Sequence, residues 1–417
     1  MSLAGKQVLF ISYNGMLEPL GQSQVIPYLK ELSKLGTQFT LLSYEREHAY
    51  REEGRQHCES LRTELRESGI DWHWLRYHKR PSIPATAFDV SAGVRFASRL
   101  VKSKQIELIH ARSHIPALIA LRLKRRLGVK MIFDVRGLMA EEYIDAGHWR
   151  SNGTPARLTK QMEARALGAA DGVVTLTDAL WSEMQGWPSL QRRPQVAHET
   201  IPCCIDLEAF RFDEQARIER RTELAVGDRF VLVYSGSIGG WYMTNEMAAF
   251  FSVLKRQRPD SFFLWLTQGD QLIVDNAMSA ASISRDDYAV RSVAPRTIPT
   301  WLSASDAGIA FYRPGISRLG TSPIKISEYL ACGLPVVVNA GVGDSDALIS
   351  REKIGVAVRD FQDAEYAKAA HAIADFAAAP EEIRRRTRVV AETFFDLRQT
   401  GVERYARLYA HVLGSNN

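Results

Sequence analysis

The sequence lacks any apolar run long enough to cross a membrane. Its 417 residues are 46% hydrophobic and 24% charged, which is ordinary for a soluble globular protein, and no apolar stretch reaches the roughly 18 residues of a membrane span. The first residues, MSLAGKQVLF, also lack the charged and long apolar segments of a secretion signal. We therefore expect a cytoplasmic protein.

Cysteine is scarce and is not spaced for metal binding. The four cysteines are Cys58, Cys203, Cys204 and Cys332, and they form no C-x-x-C pair. Cys203 and Cys204 are adjacent, and adjacent cysteines rarely form a disulfide with each other. Reduced thiols are expected in a cytosolic protein. The sequence predicts neither a disulfide framework nor a metal site, and we expect Cys332 to pack in a core.

The charge balance gives little support for nucleic-acid binding, because the formal net charge is only +5. Positive charge is concentrated in one segment, ALIALRLKRRLGVK, which contains Arg122, Lys124, Arg125 and Arg126. These cations either suit the carboxyl end of an ordinary surface helix or form a docking face for an anionic membrane. The sequence leaves both interpretations open.

Two series of short β-rich runs alternate with helical stretches. The first series contains QVLFISY, QFTLLSY, WHWLRYH, IELIHAR, KMIFDVRG and GVVTLT, and the second FVLVYSGS, FFLWLTQ, YAVRSVA, AGIAFYR, PVVVNA and IGVAVRD. Continuous apolar runs indicate strands covered on both faces, and their alternation with helices indicates parallel sheets. The pattern predicts an α/β protein with two Rossmann-like, doubly wound domains facing a cleft.

The predicted domain boundaries follow from these two series. Residues 1–203 form an N-terminal Rossmann-like domain, residues 204–395 a C-terminal one, and residues 396–417 a helix that crosses back to the first domain. Ligands of doubly wound sheets bind beyond the carboxyl ends of the strands. The loops at those ends therefore supply the candidate residues.

One such loop follows the first strand, in YNGMLEPLGQSQVIPYL. Pro27 lacks an N–H and suits only a first helical turn, so a helix is predicted to begin between about Ser23 and Ile26. That leaves GMLEPLGQ as a loop, in which Gly21 allows a close approach and the N–H groups of Gln22 and Ser23 meet an anion. A plain turn is the alternative.

A second segment combines a glycine-bearing loop with a basic helix start: SRLGTSPIKISEYLACGLPVVVNA. Pro323 suits a first helical position, and Ser322 is a good N-cap. Arg318 and Lys325 add positive charge at a helix start that favours anions. Glu328 lies on the same side of the helix as Lys325, so the two form either an intrahelical ion pair or a phosphate-binding lysine beside a hydroxyl-binding carboxylate.

Here a family resemblance appears. SPIKISEYLACGLPVVV resembles the C-terminal signature of the retaining glycosyltransferases of family GT4, TIPCCIDLEAF resembles their domain junction, and VLVYSGSIGGWY resembles the first strand and glycine loop of their nucleotide domain. The matches follow the family order along nearly the whole chain. KMIFDVRGLMAEEYIDAGHW further resembles the exopolysaccharide-type members.

The resemblance implies a GT-B fold, transfer with retention, no required metal or other cofactor, and a nucleotide-sugar donor such as a UDP- or GDP-sugar. It implies that the glycine loop with Gly236 and Ser237 binds the donor and that Glu328 holds the ribose. The chain departs from the family twice. The glycine loop GSIGGWYMTNE has no basic residue, which leaves the diphosphate charge to Arg318 and Lys325, and Gly320 stands where the family's first glutamate is expected.

On the N-terminal side, the resemblance implies that Arg136 faces the donor sugar or phosphate and that Glu142 or Asp134 faces the acceptor. Arginine stays protonated and is a poor base, so its role would be electrostatic. A structural Asp134–Arg136 pair is the alternative, and His110 either lines the cleft or is buried.

The sequence thus predicts a glycosyltransferase of the hexosyltransferase type that acts on a glycan or lipid-linked glycan in bacterial surface-polysaccharide synthesis. Expected partners are the nucleotide-sugar, this acceptor and an anionic membrane touched peripherally, but no nucleic acid. A sugar-nucleotide 2-epimerase of the same fold and a non-catalytic nucleotide-sugar-binding subunit remain as alternatives.

Overall fold

A computed structural model describes residues 3–80 and 82–414. The chain divides into two compact units. The first runs up to Pro202 and takes in the segment from Leu397 onward, and the second runs from Cys203 to Asp396. The first predicted boundary lies one residue after the observed one, and the predicted terminal helix starts one residue early.

The first unit contains a seven-stranded parallel sheet in the order β3-β2-β1-β4-β5-β6-β7. Its strands are β1 Gln7–Ser12, β2 Gln38–Glu45, β3 Ile70–Arg76, β4 Leu108–Arg112, β5 Lys130–Val135, β6 Gly172–Thr175 and β7 Ala197–Thr200. Its first nine helices are α1 Pro19–Gln24, α2 Ile26–Lys34, α3 Glu52–Glu67, α4 Ser82–Ser103, α5 His114–Leu127, α6 Met139–Asp145, α7 Thr154–Ala169, α8 Asp178–Gln185 and α9 Pro188–Gln191.

The second unit repeats this plan with a six-stranded parallel sheet in the order β10-β9-β8-β11-β12-β13. Its strands are β8 Phe230–Ser235, β9 Ser261–Leu266, β10 Tyr288–Arg291, β11 Ala307–Ala310, β12 Val336–Asn339 and β13 Gly355–Val358. Its helices are α10 Glu214–Leu224, α11 Thr244–Gln257, α12 Gln271–Ala280, α13 Ile298–Ser303, α14 Ile324–Ala331, α15 Ser345–Glu352, α16 Asp363–Asp375 and α17 Pro380–Phe395.

The strands have the burial that their composition predicts. All residues of β4, β6, β8, β9, β11 and β12 are buried, because helices cover both faces of each sheet. The doubly wound prediction is confirmed. Strand β7, with the sequence AHET, is only half-buried and was not predicted, since a short polar edge strand lacks the apolar run on which the other predictions depend.

The segment after Asp396 returns to the first unit. A π-helical turn, Leu397–Val402, leads into helix α18, Glu403–Gly414. The ammonium of Lys130, at the start of β5, donates a 2.8 Å hydrogen bond to the carbonyl of Val412. Arg407 forms a bidentate ion pair with Glu199 of β7, at 2.6 and 3.0 Å.

No helix within the described ranges combines the length and the apolar character that crossing a bilayer requires. All four cysteines are buried. Cys332 packs in the core of the second unit, with Leu330 and Val336 in the same apolar cluster, which confirms the structural role predicted for it.

Glycine at position 355 is a stability requirement of the second sheet. A Cβ there would lie 2.1 Å from the carbonyl oxygen of Val336 on the neighbouring strand. We expect Gly355→Ala to lower the free energy of unfolding by roughly 2–3 kcal/mol through overpacking. Gly168→Ala is the matched control, because a Cβ there would meet nothing within 4 Å. Urea unfolding of both variants checks this, and equal stabilities would contradict it.

Candidate functional site

Strand order reverses once in each sheet, and this reversal positions the candidate residues. In the second unit the reversal lies between β8 and β11. The loop after β8 contains Gly236 and Ser237, and the segment after β11 contains Arg318 and leads to Lys325. Because neighbouring crossovers lie on opposite faces there, a crevice opens at the carboxyl ends of the two strands. The candidate donor residues therefore occupy the position at which such sheets bind ligands.

Lys325 is enclosed by aromatic rings. Its side chain is 5% exposed, and its ammonium donates a 2.9 Å hydrogen bond to the hydroxyl of Tyr234. The ammonium also lies 4.2, 4.0 and 5.5 Å from the ring centroids of Tyr234, Tyr242 and Tyr312. Burial lowers the pKa of Lys325 to about 7. Within the described chain no carboxylate pairs with this ammonium, so a bound anion would satisfy it better than its present surroundings do.

Arg318 lies on the same side of the crevice and is also stacked on an aromatic ring. It belongs to a short 3₁₀ helix, Ile316–Gly320, and only 5% of the residue is exposed. Its guanidinium lies 4.4 Å from the ring centroid of Trp241 and donates to the hydroxyl of Ser317 at 2.9 and 3.2 Å. Trp241 and Tyr242, which replace the expected basic residues of the glycine loop, thus contact the two cations.

The Glu328 carboxylate has no partner among the described residues. The residue is half-buried, and in the described chain its carboxylate accepts no hydrogen bond and forms no ion pair. Burial raises its pKa, and the charge of Lys325 opposes that rise. The Lys325 ammonium instead donates a hydrogen bond to the Tyr234 hydroxyl. The alternative of an intrahelical Lys325–Glu328 ion pair is therefore wrong.

The start of α14 differs from the prediction. The helix begins at Ile324 with Pro323 as the N-cap, and no side chain caps it. The hydroxyl of Ser322 instead accepts a 3.1 Å hydrogen bond from the backbone N–H of Cys203. Ser322 therefore ties the helix to the start of the second unit, a long-range contact that residue type alone does not indicate.

The glycine loop after β8 lies against Lys325. Gly236 has φ +135°, and a Cβ there would lie 2.8 Å from the Lys325 ammonium. Ser237 is exposed, and its carbonyl accepts a hydrogen bond from the Tyr234 hydroxyl. The structure thus brings Gly236, Lys325 and the tyrosines together, and larger side chains at position 236 would displace the lysine.

In the first unit, Asp134 is the centre of a buried polar network. Its Oδ2 accepts from the Tyr405 hydroxyl at 2.9 Å and from His110 Nε2 at 3.2 Å. The other ring nitrogen of His110 accepts from the Tyr409 hydroxyl at 2.6 Å. Since a carboxylate can only accept, Nε2 carries the His110 proton. His110 is fully buried, so the structural alternative for it is right.

Charge keeps Asp134 ionised despite its burial. Burial alone would raise the pKa of Asp134, but Arg136, His110 and Arg112 outweigh this effect and hold the pKa at about 2. Arg136 Nη1 lies 3.7 Å from Asp134 Oδ1, and the Arg136 side chain is 11% exposed. Asp134, at 1% exposure, is thus buried beside Arg136.

Glu142 lies in the same loop region. It belongs to the first turn of α6, and a Cβ on Gly137 would come 2.4 Å from Glu142 Oε1. Gly137 has φ +153°, which favours glycine at this position. The structure therefore places Asp134 at the end of β5, Arg136 directly after that strand and Glu142 in the first turn of α6.

The segment after β1 is more helical than predicted. Helix α1 covers Pro19–Gln24, so Gly21 and Gln22 are helical, and the expectation of a loop over GMLEPLGQ is wrong in its second half. The Gln22 backbone N–H donates to the carbonyl of Glu18 at 3.0 Å and is not available to an anion. Helix α2 begins at Ile26, within the predicted range, with Pro27 in its first turn.

Close packing explains the glycines of this segment. A Cβ on Gly21 would lie 2.4 Å from the carbonyl oxygen of Gly15, and a Cβ on Gly15 would lie 2.4 Å from Glu45 Oε2. Glu45 is fully buried and accepts from the Met16 N–H at 2.6 Å and the Ser43 hydroxyl at 2.7 Å. Sequence reasoning missed Glu45, although a glutamate ending an apolar strand was the available signal.

The sequence also contains a D-x-D triplet that was not predicted as a site, Asp344-Ser345-Asp346. Metal-dependent sugar transfer uses paired carboxylates to hold a cation. Here Asp344 is the N-cap of α15, and Asp346 Oδ2 accepts from the Gly341 N–H at 3.2 Å. Over residues 3–80 and 82–414, no three His, Cys, Asp or Glu side chains are grouped to hold a metal ion.

Two protein-family models match parts of the chain. Residues 25–200 match the family of glycosyl transferase 4-like domains, and residues 320–399 match the glucosyltransferase 3-like C-terminal domain. No curated protein matches the sequence.

Three solved structures share the fold at low sequence identity. A glycosyltransferase from Rickettsia africae has a TM-score of 0.73 and 13% identity, covering 99% of both chains. Anabaena HepE, in complex with UDP and glucose, has a TM-score of 0.70 and 14% identity, covering 97% of this chain and 99% of its own. WaaG, a glycosyltransferase involved in lipopolysaccharide biosynthesis, has a TM-score of 0.66 and 12% identity, covering 95% and 98%.

The two matched domains and the fold define a glycosyltransferase of the GT-B class. The match of residues 25–200 to a glycosyl transferase 4-like domain agrees with the resemblance to family GT4 drawn from the sequence.

The ionised state of Asp134 makes a testable contribution to stability. Its pKa is about 2 in the folded protein against about 3.9 in an unfolded chain, so its contribution is present above pH 4 and is lost as the pH falls towards 2. We expect Asp134→Asn to lower the free energy of unfolding at pH 7 by roughly 2 kcal/mol. Urea unfolding at decreasing pH should show this difference shrinking, whereas a constant difference would contradict the ionised carboxylate.

Proposed function

We propose that the protein transfers a hexose or related sugar from a nucleoside-diphosphate donor to a glycan or lipid-linked glycan acceptor. The transfer retains the anomeric configuration, requires no metal or other cofactor, and serves bacterial surface-polysaccharide synthesis at the cytoplasmic face of the membrane. The observation that carries the proposal is the buried Lys325 ammonium, which lies at a strand-order reversal without a carboxylate partner among the described residues.

The chemistry of the leaving group supports this assignment. Departure of a nucleoside diphosphate develops negative charge on phosphate oxygens, and fixed cations in a dry site stabilise that charge. Lys325 and Arg318 supply two such cations beside the glycine loop, and the open carboxylate of Glu328 suits two ribose hydroxyls. The departing phosphate oxygen would then accept the acceptor proton on the same face of the sugar.

Two of the structurally similar proteins support the choice of substrates. HepE is described in complex with UDP and glucose, and WaaG as acting in lipopolysaccharide biosynthesis. On the N-terminal side, we assign Arg136 an electrostatic role towards the donor and Asp134 the role of orienting it. Glu142, which is half-buried at the same turn, is the residue proposed to face the acceptor.

The direct test measures release of free nucleoside diphosphate from a panel of UDP- and GDP-sugars, with and without membrane extracts containing lipid-linked glycans. Release that depends on the extract is expected. Isomerisation of the donor without an extract would instead identify a 2-epimerase, and binding without any turnover would identify a non-catalytic subunit. Omission of divalent cations, with chelator added, should leave the rate unchanged.

The phosphate role of Lys325 and Arg318 has a specific thermodynamic signature. We expect Lys325→Met and Arg318→Ala to weaken binding of UDP, or of GDP if that is the donor base, by roughly 10- to 100-fold, because each removes charge-assisted hydrogen bonds. Binding of the nucleoside alone should change little. Calorimetry with both ligands checks this, and an equal loss for nucleoside and diphosphate would refute the assignment.

A pH titration of the wild type sharpens that test. Because the pKa of Lys325 is about 7 in the free protein, binding of the diphosphate above that pH requires uptake of a proton. The dissociation constant should therefore rise with pH above 7 in the wild type and rise less in Lys325→Met. Identical pH profiles would contradict the role of the lysine.

A further inference from the structure

Helices α4 and α5 of the first unit share an exposed basic face. A surface groove of about 490 Å³ between them is lined by Ser91, Val94, Arg95, Ser98, Arg99, Arg122 and Arg126. The groove contains four arginines and no acidic residue. The one acidic residue of the two helices, Asp89, is 1% exposed and bonds to Tyr13 and His78 inside the unit.

The arginines of the groove have no anionic partners in the described part of the chain. Arg122 donates only to the carbonyl of Leu118 in its own helix, at 3.3 Å, and Arg95, Arg99 and Arg126 form neither a hydrogen bond nor an ion pair there. The helix dipole accounts for cations at the end of α5. It does not account for Arg95 and Arg99, which lie away from the last turn of α4.

Two exposed apolar side chains lie nearer the amino end of α4, Phe88 on the same face as Arg95 and Arg99 and Ile83 in the first turn of the helix. Ile83 is 67% exposed and Phe88 is 61% exposed. Positions 84, 88, 91, 95, 99 and 102 are all exposed at the three- and four-residue spacing of one helix face. Apolar side chains next to unpartnered cations match the two chemical features of an anionic lipid surface, its hydrocarbon and its phosphates.

The apolar end of this face adjoins the edge of the sheet that carries the candidate residues. Asp89 Oδ2 accepts from the Tyr13 hydroxyl at 2.8 Å, and Asp89 Oδ1 lies 2.6 Å from His78 Nδ1. Tyr13 directly follows β1, and the His78 ring contacts Phe88 at 5.1 Å between centroids. An acceptor anchored in a membrane at Ile83 and Phe88 would thus lie beside the carboxyl edge of the first sheet.

We propose that the α4–α5 face, defined by Phe88, Arg95, Arg99, Arg122 and Arg126, docks the protein on an anionic phospholipid surface together with Ile83 from the first turn of α4. The arginine groove takes lipid phosphates, and Ile83 and Phe88 enter the boundary between headgroups and acyl chains. The link to a lipid-linked acceptor rests on the proposed function, whereas the docking itself does not.

The test is sedimentation of the full chain with vesicles of phosphatidylcholine alone or mixed with phosphatidylglycerol. We expect binding to the mixed vesicles that weakens with salt, and little binding to phosphatidylcholine. Replacing the four groove arginines by glutamine should weaken binding on the order of 100-fold. The matched control removes four other exposed arginines that form no ion pair within the described ranges: Arg165, Arg192, Arg359 and Arg385.

Replacing Ile83 and Phe88 by serine tests the apolar part separately and should weaken vesicle binding while preserving its salt dependence. Thermal unfolding checks that each variant is folded, and UDP or GDP binding in solution should be unchanged in all of them.

The absence of wild-type binding to anionic vesicles would overturn the proposal, as would an equal loss in the control variant. Binding to DNA or RNA in place of vesicles would identify a nucleic-acid surface instead. Loss of donor turnover with intact vesicle binding would refute only the proposed function.

Discussion

Parallel pairing of the strands is the constraint on which the rest of the structure depends. When all strands of a sheet run the same way, their carboxyl ends meet at one edge, and every connection must return across a face as a helix. The fully buried strands β4, β8 and β11 follow from that coverage. The segments that follow β8 and β11 then converge, and Tyr242 and Tyr312 form an antiparallel bridge between them.

The sequence predicted this arrangement because burial on both faces leaves long apolar runs, such as FVLVYSGS and PVVVNA. Prediction of secondary structure failed where the local sequence has no such apolar run. The polar strand β7 has no apolar run. Helix α1 contains a glycine and starts with a proline, and its stability depends on packing against Met16 and Gly15, which no local propensity reveals.

The candidate site was predicted in part for the same physical reason. Charge type and a helix start were sufficient to select Arg318, Lys325 and Glu328, because those features are local. The tyrosines around Lys325 come from β8, from the glycine loop and from the residues after β11, so their association depends on tertiary structure. Ser322 was misassigned for the same reason, since its partner, Cys203, is 119 positions away.

Stacking on aromatic rings gives the two donor-side cations a distinctive electrostatic setting. A ring face attracts a cation but adds no net negative charge, so Lys325 and Arg318 remain electrostatically unneutralised, and burial lowers the pKa of Lys325 to about 7. A carboxylate in the same place would hold them more tightly but would compete with a phosphate. Aromatic residues in the glycine loop thus contact two cations that the loop itself does not carry.

The return of α18 to the first unit has a consequence for synthesis on the ribosome. Tyr405 and Tyr409 contact Asp134 and His110, yet they are made after the whole of the second unit. About 190 residues of the second unit are therefore synthesised before the first unit can be completed. During that time the buried aspartate and histidine of the first sheet lack their tyrosine partners. A nascent chain in that interval holds an incompletely satisfied core, and chaperones would be expected to bind it then rather than after release.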